Sequence, residues 1–255
     1  MLGIQEWNLE NNNLLIIQKR VSNPRLRLFC FPYAGGSAKT YYDWATYFHD
    51  DIEVVAVQPP GRTTRIDEPL HENLHSLVNE LMSYVTFITQ IPYVFIGHSL
   101  GCRVAFELAR QLQSHAHPVP AHFFASGCPA PHLKNNIPHT HQLARNEFIR
   151  ELQKMNGATD EVLLNSELME ILLPVLRADF KMAETYQLER FMLESPITVL
   201  SGDSDPDVKP IELYAWSELT NKDLTVHTIS GDHFFIDQNK EAVIEVVSSV
   251  LECIG

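Results

Sequence analysis

The stretch Tyr93-Val94-Phe95-Ile96-Gly97-His98-Ser99-Leu100-Gly101-Cys102, continued by residues 103–113, decides the fold. Its first four residues are apolar and β-favouring and read as a fully buried strand, while 103–113 has helical spacing. Only the six residues 97–102 separate the two. Gly97-His98-Ser99-Leu100-Gly101 fits G-x-S-x-G, the nucleophile elbow, in which a strained strand-to-helix turn lifts a serine hydroxyl above a sheet and small flanking residues let strand and helix approach. An apolar strand before the motif and a helix after it are the context the motif demands, so the pattern predicts a catalytic Ser99.

Outward from this turn, strand-like and helix-like segments alternate, the pattern of a mostly parallel sheet flanked by helices. Strands are expected at 26–31, 52–57, 122–125, 197–200 and 224–229, and helices near 41–48, 74–89, 211–219 and 240–251. Between 143 and 191 the alternation stops and the chain reads as helical, which predicts a helical insertion in one domain spanning 1–255. Within 166–186, Leu168, Leu172, Val175, Met182 and Tyr186 mark one apolar stripe and Met169, Leu173, Leu176 and Phe180 a second beside it. A surface helix needs one stripe. Two suggest a lid facing both the sheet domain and a substrate chamber, bent at Pro174. Asp179 lies between them, with Arg177 as its nearest offered partner.

A serine hydroxyl needs a base, and the base needs a group that fixes its tautomer. Of twelve histidines, His233 follows the strand ending at Ile229, on the carboxyl edge where open parallel sheets gather their ligands. His98 belongs to the elbow but points away from its neighbour. His115, His117 and His122, and the pair His139 and His141, lack a frame that would make them metal ligands, and no metal site is expected. Gly202-Asp203-Ser204-Asp205-Pro206-Asp207 offers three carboxylates after another strand. The order Ser99, acid, His233 suits α/β-hydrolases. Asp205, held extended before proline, is preferred over Asp203, although spacing alone does not separate them. Two backbone N–H groups should form the oxyanion hole, one from Leu100 and one from the loop Pro32-Tyr33-Ala34-Gly35-Gly36, with Ala34 preferred to Tyr33.

Composition narrows the function classes. With 255 residues, 45% hydrophobic and 20% charged, the chain is an ordinary globular one. Its formal net charge of −13 speaks against nucleic acid and anionic membrane as partners. The absence of a long apolar run or a signal-like start predicts a cytoplasmic protein, read as a monomer. Cys30, Cys102, Cys128 and Cys253 show no CxxC spacing and are expected to be reduced thiols.

The segments LFCFPYAGGSA (28–38), WATYF (44–48), VQPPGRTTR (57–65), GHSLG (97–101), LPVLRADF (173–180), GDSDPDV (202–208) and GDHFFI (231–236) together resemble the type II, or external, thioesterases that accompany nonribosomal peptide and polyketide synthases. The resemblance covers almost the whole chain and places the acid on Asp205. It implies an α/β-hydrolase fold with a helical lid. The implied activity is hydrolysis of acyl or aminoacyl groups misloaded on the phosphopantetheine arm of a carrier protein, without cofactor. Tyr33, Leu172, Leu176, Phe180 and Phe234 are then expected to line the acyl site. Arg62, Arg65 and Arg103 could touch the carrier or the arm's phosphate, a solvated surface role being the stronger reading for each. A medium-chain acyl-carrier thioesterase of fatty acid synthesis, or a small-molecule esterase on the same fold, would share the triad.

Overall fold

Among the residues described by the computed structural model (13–133, 139–155, 162 and 165–254), one sheet is built from β1 (Leu15–Ile17), β2 (Leu26–Phe31), β3 (Ile52–Val57), β4 (Tyr93–His98), β5 (His122–Ser126), β6 (Ile197–Gly202) and β7 (Leu224–Ile229). Their spatial order is β1-β3-β2-β4-β5-β6-β7. All neighbours run parallel except β1, which pairs antiparallel with β3, Leu15 opposite Val57. The principal helices are α1 (Leu74–Met82), α2 (Val85–Ile88), α3 (Leu100–Ser114), α4 (Arg145–Lys154), α5 (Ser166–Thr185), α6 (Pro210–Tyr214), α7 (Phe235–Gln238) and α8 (Lys240–Cys253).

Alternation along the central strands divides the core. Phe29, Phe31, Val55, Val57, Tyr93 and Phe95 meet α1, α2 and α3 on one face. Leu28, Cys30, Val54, Ala56, Val94 and Ile96 meet Tyr41, Trp44 and α8 on the other. Residues two apart on a strand share a face, so a run apolar at every position must be covered on both. The sheet is the three-layer α/β-hydrolase arrangement the motif order implied.

Three local expectations are corrected. Residues 74–89 form two helices, because the Ser83 N–H and hydroxyl both turn back to the Glu80 carbonyl (3.2 and 2.6 Å) and replace the regular i−4 pattern. Residues 41–48 are covered by two 3₁₀ turns, Ala38–Tyr41 and Trp44–Thr46, which bring the buried Tyr41 and Trp44 rings together three residues apart. Residues 211–219 likewise split into α6 and a 3₁₀ turn, Ala215–Glu218. The sequence reading did not include β1.

Across 143–191 the described residues contain α4 and α5 and no strand; positions 156–161, 163 and 164 of the expected insertion lie outside the described residues. α5 continues through Pro174 as one helix. Its Met182, with Tyr186 just beyond, joins the core on the α3 face of the sheet. Met169 and Leu173 pack with Phe148 and Leu152 of α4 in a separate cluster. Leu168, assigned to the first stripe, is 43% exposed and belongs to neither.

Candidate active site

β4 hands the chain to α3 through Ser99, which sits at φ 54° and ψ −115°, in left-handed territory that a non-glycine residue adopts only under constraint. The constraint is visible on both sides. A Cβ on Gly97 would lie 2.4 Å from the Gly101 carbonyl oxygen, and one on Gly101 would lie 2.1 Å from that of Phe31. The elbow therefore packs β4, α3 and the end of β2 at distances only glycine permits. The site also occupies the topological switch point. β3 lies to one side of β2 and β4 to the other, so the loops leaving β2 and β4 diverge and open a crevice at their carboxyl ends.

His233, on the loop after β7, reaches this crevice. Its Nδ1 lies 2.9 Å from Oδ2 of Asp205, whose side chain is fully buried. The other Asp205 oxygen accepts the Asp207 N–H at 2.9 Å. Asp203 is placed differently: it is exposed and accepts the Gly231 N–H (3.1 Å) and the Ser204 hydroxyl (2.9 Å), which ties the two loops together without reaching the imidazole. Burial pulls the His233 pKa down, but the hydrogen bond and charge of Asp205, helped by Asp207 and Cys128, outweigh it and hold the imidazole above its ordinary value.

His98 lies beneath this pair, a role the sequence reading missed. Its Nε2–H donates to the His233 carbonyl at 2.8 Å, so Nδ1 accepts the Ser126 hydroxyl, also at 2.8 Å. Burial, with the charge of His233, holds the His98 pKa well below normal, as this neutral tautomer requires. Its place inside the elbow was the available signal.

On the opposite wall the loop after β2 is pinned at two N–H groups: Gly35 donates to Asp179 Oδ2 (2.7 Å) and Gly36 to the Tyr33 carbonyl (2.9 Å). The N–H groups of Ala34 and Leu100 have no partner among the described residues, and both residues line the same cavity as Ser99 and His233. This cavity, about 210 Å³, is bounded mainly by apolar side chains, among them Leu152, Met155 and Val208. Tyr33, Leu176, Phe180 and Phe234 line it as well. Leu172 does not: it packs against the Phe148 and Leu152 cluster, because its position on α5 turns it from the mouth toward α4.

The arginines are also placed differently from expectation. Arg62 makes a bidentate pair with Asp179 (2.7 and 2.9 Å), and Arg65 is buried between Glu68 and Glu80. Asp179 thus takes Arg62 as its partner, while Arg177 donates to the carbonyls of His141 and Leu143. Arg103 is 7% exposed and lines the cavity. None of the three has the solvated role expected of it. Cys128 lies on the cavity wall, and a hydrogen bond with the buried Cys102 draws its thiol down to about 7. His122 bonds to Thr198, and burial pulls it down to about 4; His115 bonds to the Gln111 carbonyl, so these histidines share no ligand geometry. His139 and His141 do approach Glu184, but its carboxylate already accepts the N–H groups of Thr140 and His141.

Residues 26–251 match the thioesterase domain family model. The chain is 39% identical over 234 residues to the gramicidin S biosynthesis protein GrsT of Aneurinibacillus migulanus, covering 91% of each. Among solved structures, ClbQ from the colibactin NRPS/PKS pathway superposes with a TM-score of 0.84 at 35% identity, covering 91% of this chain and 98% of that one. The type II thioesterase BorB of the borrelidin cluster gives 0.84 at 33% identity, over 92% and 96%. Family match, near full-length relatives and a strained serine at the switch point agree, and the chain belongs to the thioesterase family, as a thioester hydrolase on the α/β-hydrolase fold.

Proposed function

We propose that this enzyme releases acyl or aminoacyl groups from the phosphopantetheine arm of a carrier protein by a Ser99–His233–Asp205 acyl-enzyme mechanism, clearing misloaded synthetase or synthase modules. The observation that carries the chemistry is the Asp205–His233 contact opening onto the same cavity as Ser99. With Nδ1 held by Asp205, Nε2 is the nitrogen available to take the Ser99 proton as Oγ attacks the thioester carbonyl. The unpartnered N–H groups of Ala34 and Leu100 receive the developing oxyanion. The leaving thiolate, whose conjugate thiol has a pKa of about 8.5, departs readily and takes up the proton that His233 carries, which returns the imidazole to its neutral form. Water, deprotonated by the same His233, then frees Ser99. Each step uses side chains and N–H groups of this chain alone.

Relatives from gramicidin S, borrelidin and colibactin biosynthesis support a place beside such synthetases and synthases, with which carrier-bound substrates and an editing role fit. α4 and α5 supply Leu152, Leu176 and Phe180 to the cavity wall and are assigned as its lid. An intracellular site of action fits free thiols at all four cysteines, and no helix among the described residues is long and apolar enough to cross a membrane. The test compares acetyl-, aminoacyl- and dodecanoyl-carrier protein, with matching oxygen esters, in wild type and Ser99→Ala. Serine-dependent release favouring short carrier-bound groups is expected. A preference for dodecanoyl would move the assignment to fatty-acid chain release, and activity confined to oxygen esters would refute thioester editing.

A further inference from the structure

Arg103 is the fourth residue of α3, one helical turn beyond Ser99, and it is 7% exposed on the wall of the catalytic cavity. Its guanidinium has no hydrogen bond and no carboxylate within ion-pair distance among the described residues. The other withdrawn arginines are all matched: Arg27 with Glu53, Arg62 with Asp179, Arg65 with Glu68 and Glu80. Position adds to the imbalance. The first turn of a helix carries positive partial charge, and that of α3 holds no acidic residue, so a buried cation there is opposed by the helix itself. Of the carboxylates lining the same cavity, Glu184 accepts backbone N–H groups and His141; the fully buried Asp205, which does not line it, faces His233. Asp207, also on the wall, makes no ion pair with Arg103. Arg103 is among the charges that favour the Cys128 thiolate, which puts its field inside the chamber.

A buried cation without a counterion, beside the nucleophile, is half of an ion pair that a ligand can complete. Resting on the thioesterase reading of Ser99, we propose that Arg103 binds a carboxylate at the far end of the acyl group. The favoured substrates are then short carboxylate-bearing acyl thioesters, such as dicarboxylic monoacyl or acidic aminoacyl groups. The arm's phosphate is the alternative anion, but it lies a whole pantetheine away from the thioester, whereas Arg103 is one helical turn from Ser99. A cavity of about 210 Å³ is of the order that admits a benzene-sized group, which suits a short acyl chain.

The test measures kcat/KM for succinyl- and butyryl-S-N-acetylcysteamine, which carry no phosphate, and for the same groups on a phosphopantetheinyl carrier protein. Wild type should favour succinyl. In Arg103→Met the succinyl-to-butyryl ratio should fall about 10- to 100-fold, the range of a charge-assisted hydrogen bond, and Arg103→Lys should restore part of it. An unchanged ratio in Arg103→Met, or a wild type that favours butyryl tenfold, overturns the proposal. A loss confined to carrier-bound substrates, equal for both acyl groups, assigns Arg103 to the phosphate instead and also overturns it. If neither thioester is turned over, the reading of Ser99 fails on its own. Calorimetric binding of glutarate against butyrate, in wild type and Arg103→Met, then still decides what Arg103 recognises.

Discussion

Asp205 does two things to His233: it holds Nδ1, so that in the proposed mechanism Nε2 is the nitrogen left for Ser99, and it raises the pKa that burial alone would lower. Both consequences are measurable. Ser99→Ala should abolish turnover with thermal unfolding unchanged, and His233→Ala should abolish it with some loss of stability, since it leaves the buried Asp205 carboxylate without its partner; retained activity in either would defeat the assignment. Asp205→Asn should lose about 10⁴-fold in kcat. Asp203→Asn, which removes an exposed charge and keeps the Oδ1 acceptor that ties the two loops, should stay within a few-fold of wild type; equal losses would undo the choice of acid. The working base is neutral imidazole, so kcat/KM should decay as pH falls through a midpoint above the ordinary value of about 6.5. Removing the Asp205 charge deletes the largest influences that raise the pKa and leaves burial opposed only by Asp207 and Cys128, so the His233 midpoint in Asp205→Asn, followed by NMR, should move down. The same shift makes a stability statement: a raised folded pKa favours the fold below the unfolded value, and this contribution is lost as pH rises through the folded one. Three carboxylates on one turn left the acid open to spacing. The geometry separates them by what each oxygen accepts.

Between elements, the contact that most affects the chemistry is the one spacing could not show. Asp179 of α5 accepts the Gly35 N–H and pairs with Arg62, 117 positions earlier in the chain. It thereby fastens the proposed oxyanion loop to α5. Arg62 also donates to the Gly36 carbonyl at 3.1 Å, so the pair grips the loop at two points. Asp179→Ala leaves a nearly buried guanidinium unmatched and should cost about 3–5 kcal/mol by chemical denaturation. Replacing both partners separates stability from positioning. Arg62→Met with Asp179→Leu should regain most of that stability while kcat stays depressed, because the Gly35 N–H has still lost its acceptor. Recovery of kcat along with stability would show that the pair serves folding alone. The elements themselves were largely legible: six strands and the α3 elbow follow from apolar runs and one motif. What periodicity cannot register is a serine that caps its own helix, as at Ser83, or a three-residue edge strand such as β1. The face of a helix that a cavity rather than solvent will meet is equally hidden, which is how Leu172 and Arg103 were misplaced.

At the scale of the molecule, sheet order explains why so few motifs could locate the site. Loops after β2, β4, β6 and β7 converge on one edge, so residues from positions 34 to 233 meet in a crevice that only the topology defines. The formal net charge is −13, and the arginines that might have offered a local basic contact near the cavity are withdrawn: Arg62 and Arg65 into ion pairs, Arg103 into the cavity wall. A net charge of this sign opposes the long-range approach of an acidic carrier protein, so the encounter should be slowed by repulsion and rescued by screening. The Debye length falls from about 30 Å at 0.01 M salt to about 8 Å at 0.15 M. Over that range kcat/KM for an acyl group on an acidic carrier should rise, while that for the same acyl group on uncharged N-acetylcysteamine should stay level. Stopped-flow turnover at the two salt concentrations checks this, and the small thioester controls for any effect of salt on the chemistry. A falling carrier curve would mean that a basic face does steer the partner, and docking would then have to be sought away from the cavity mouth.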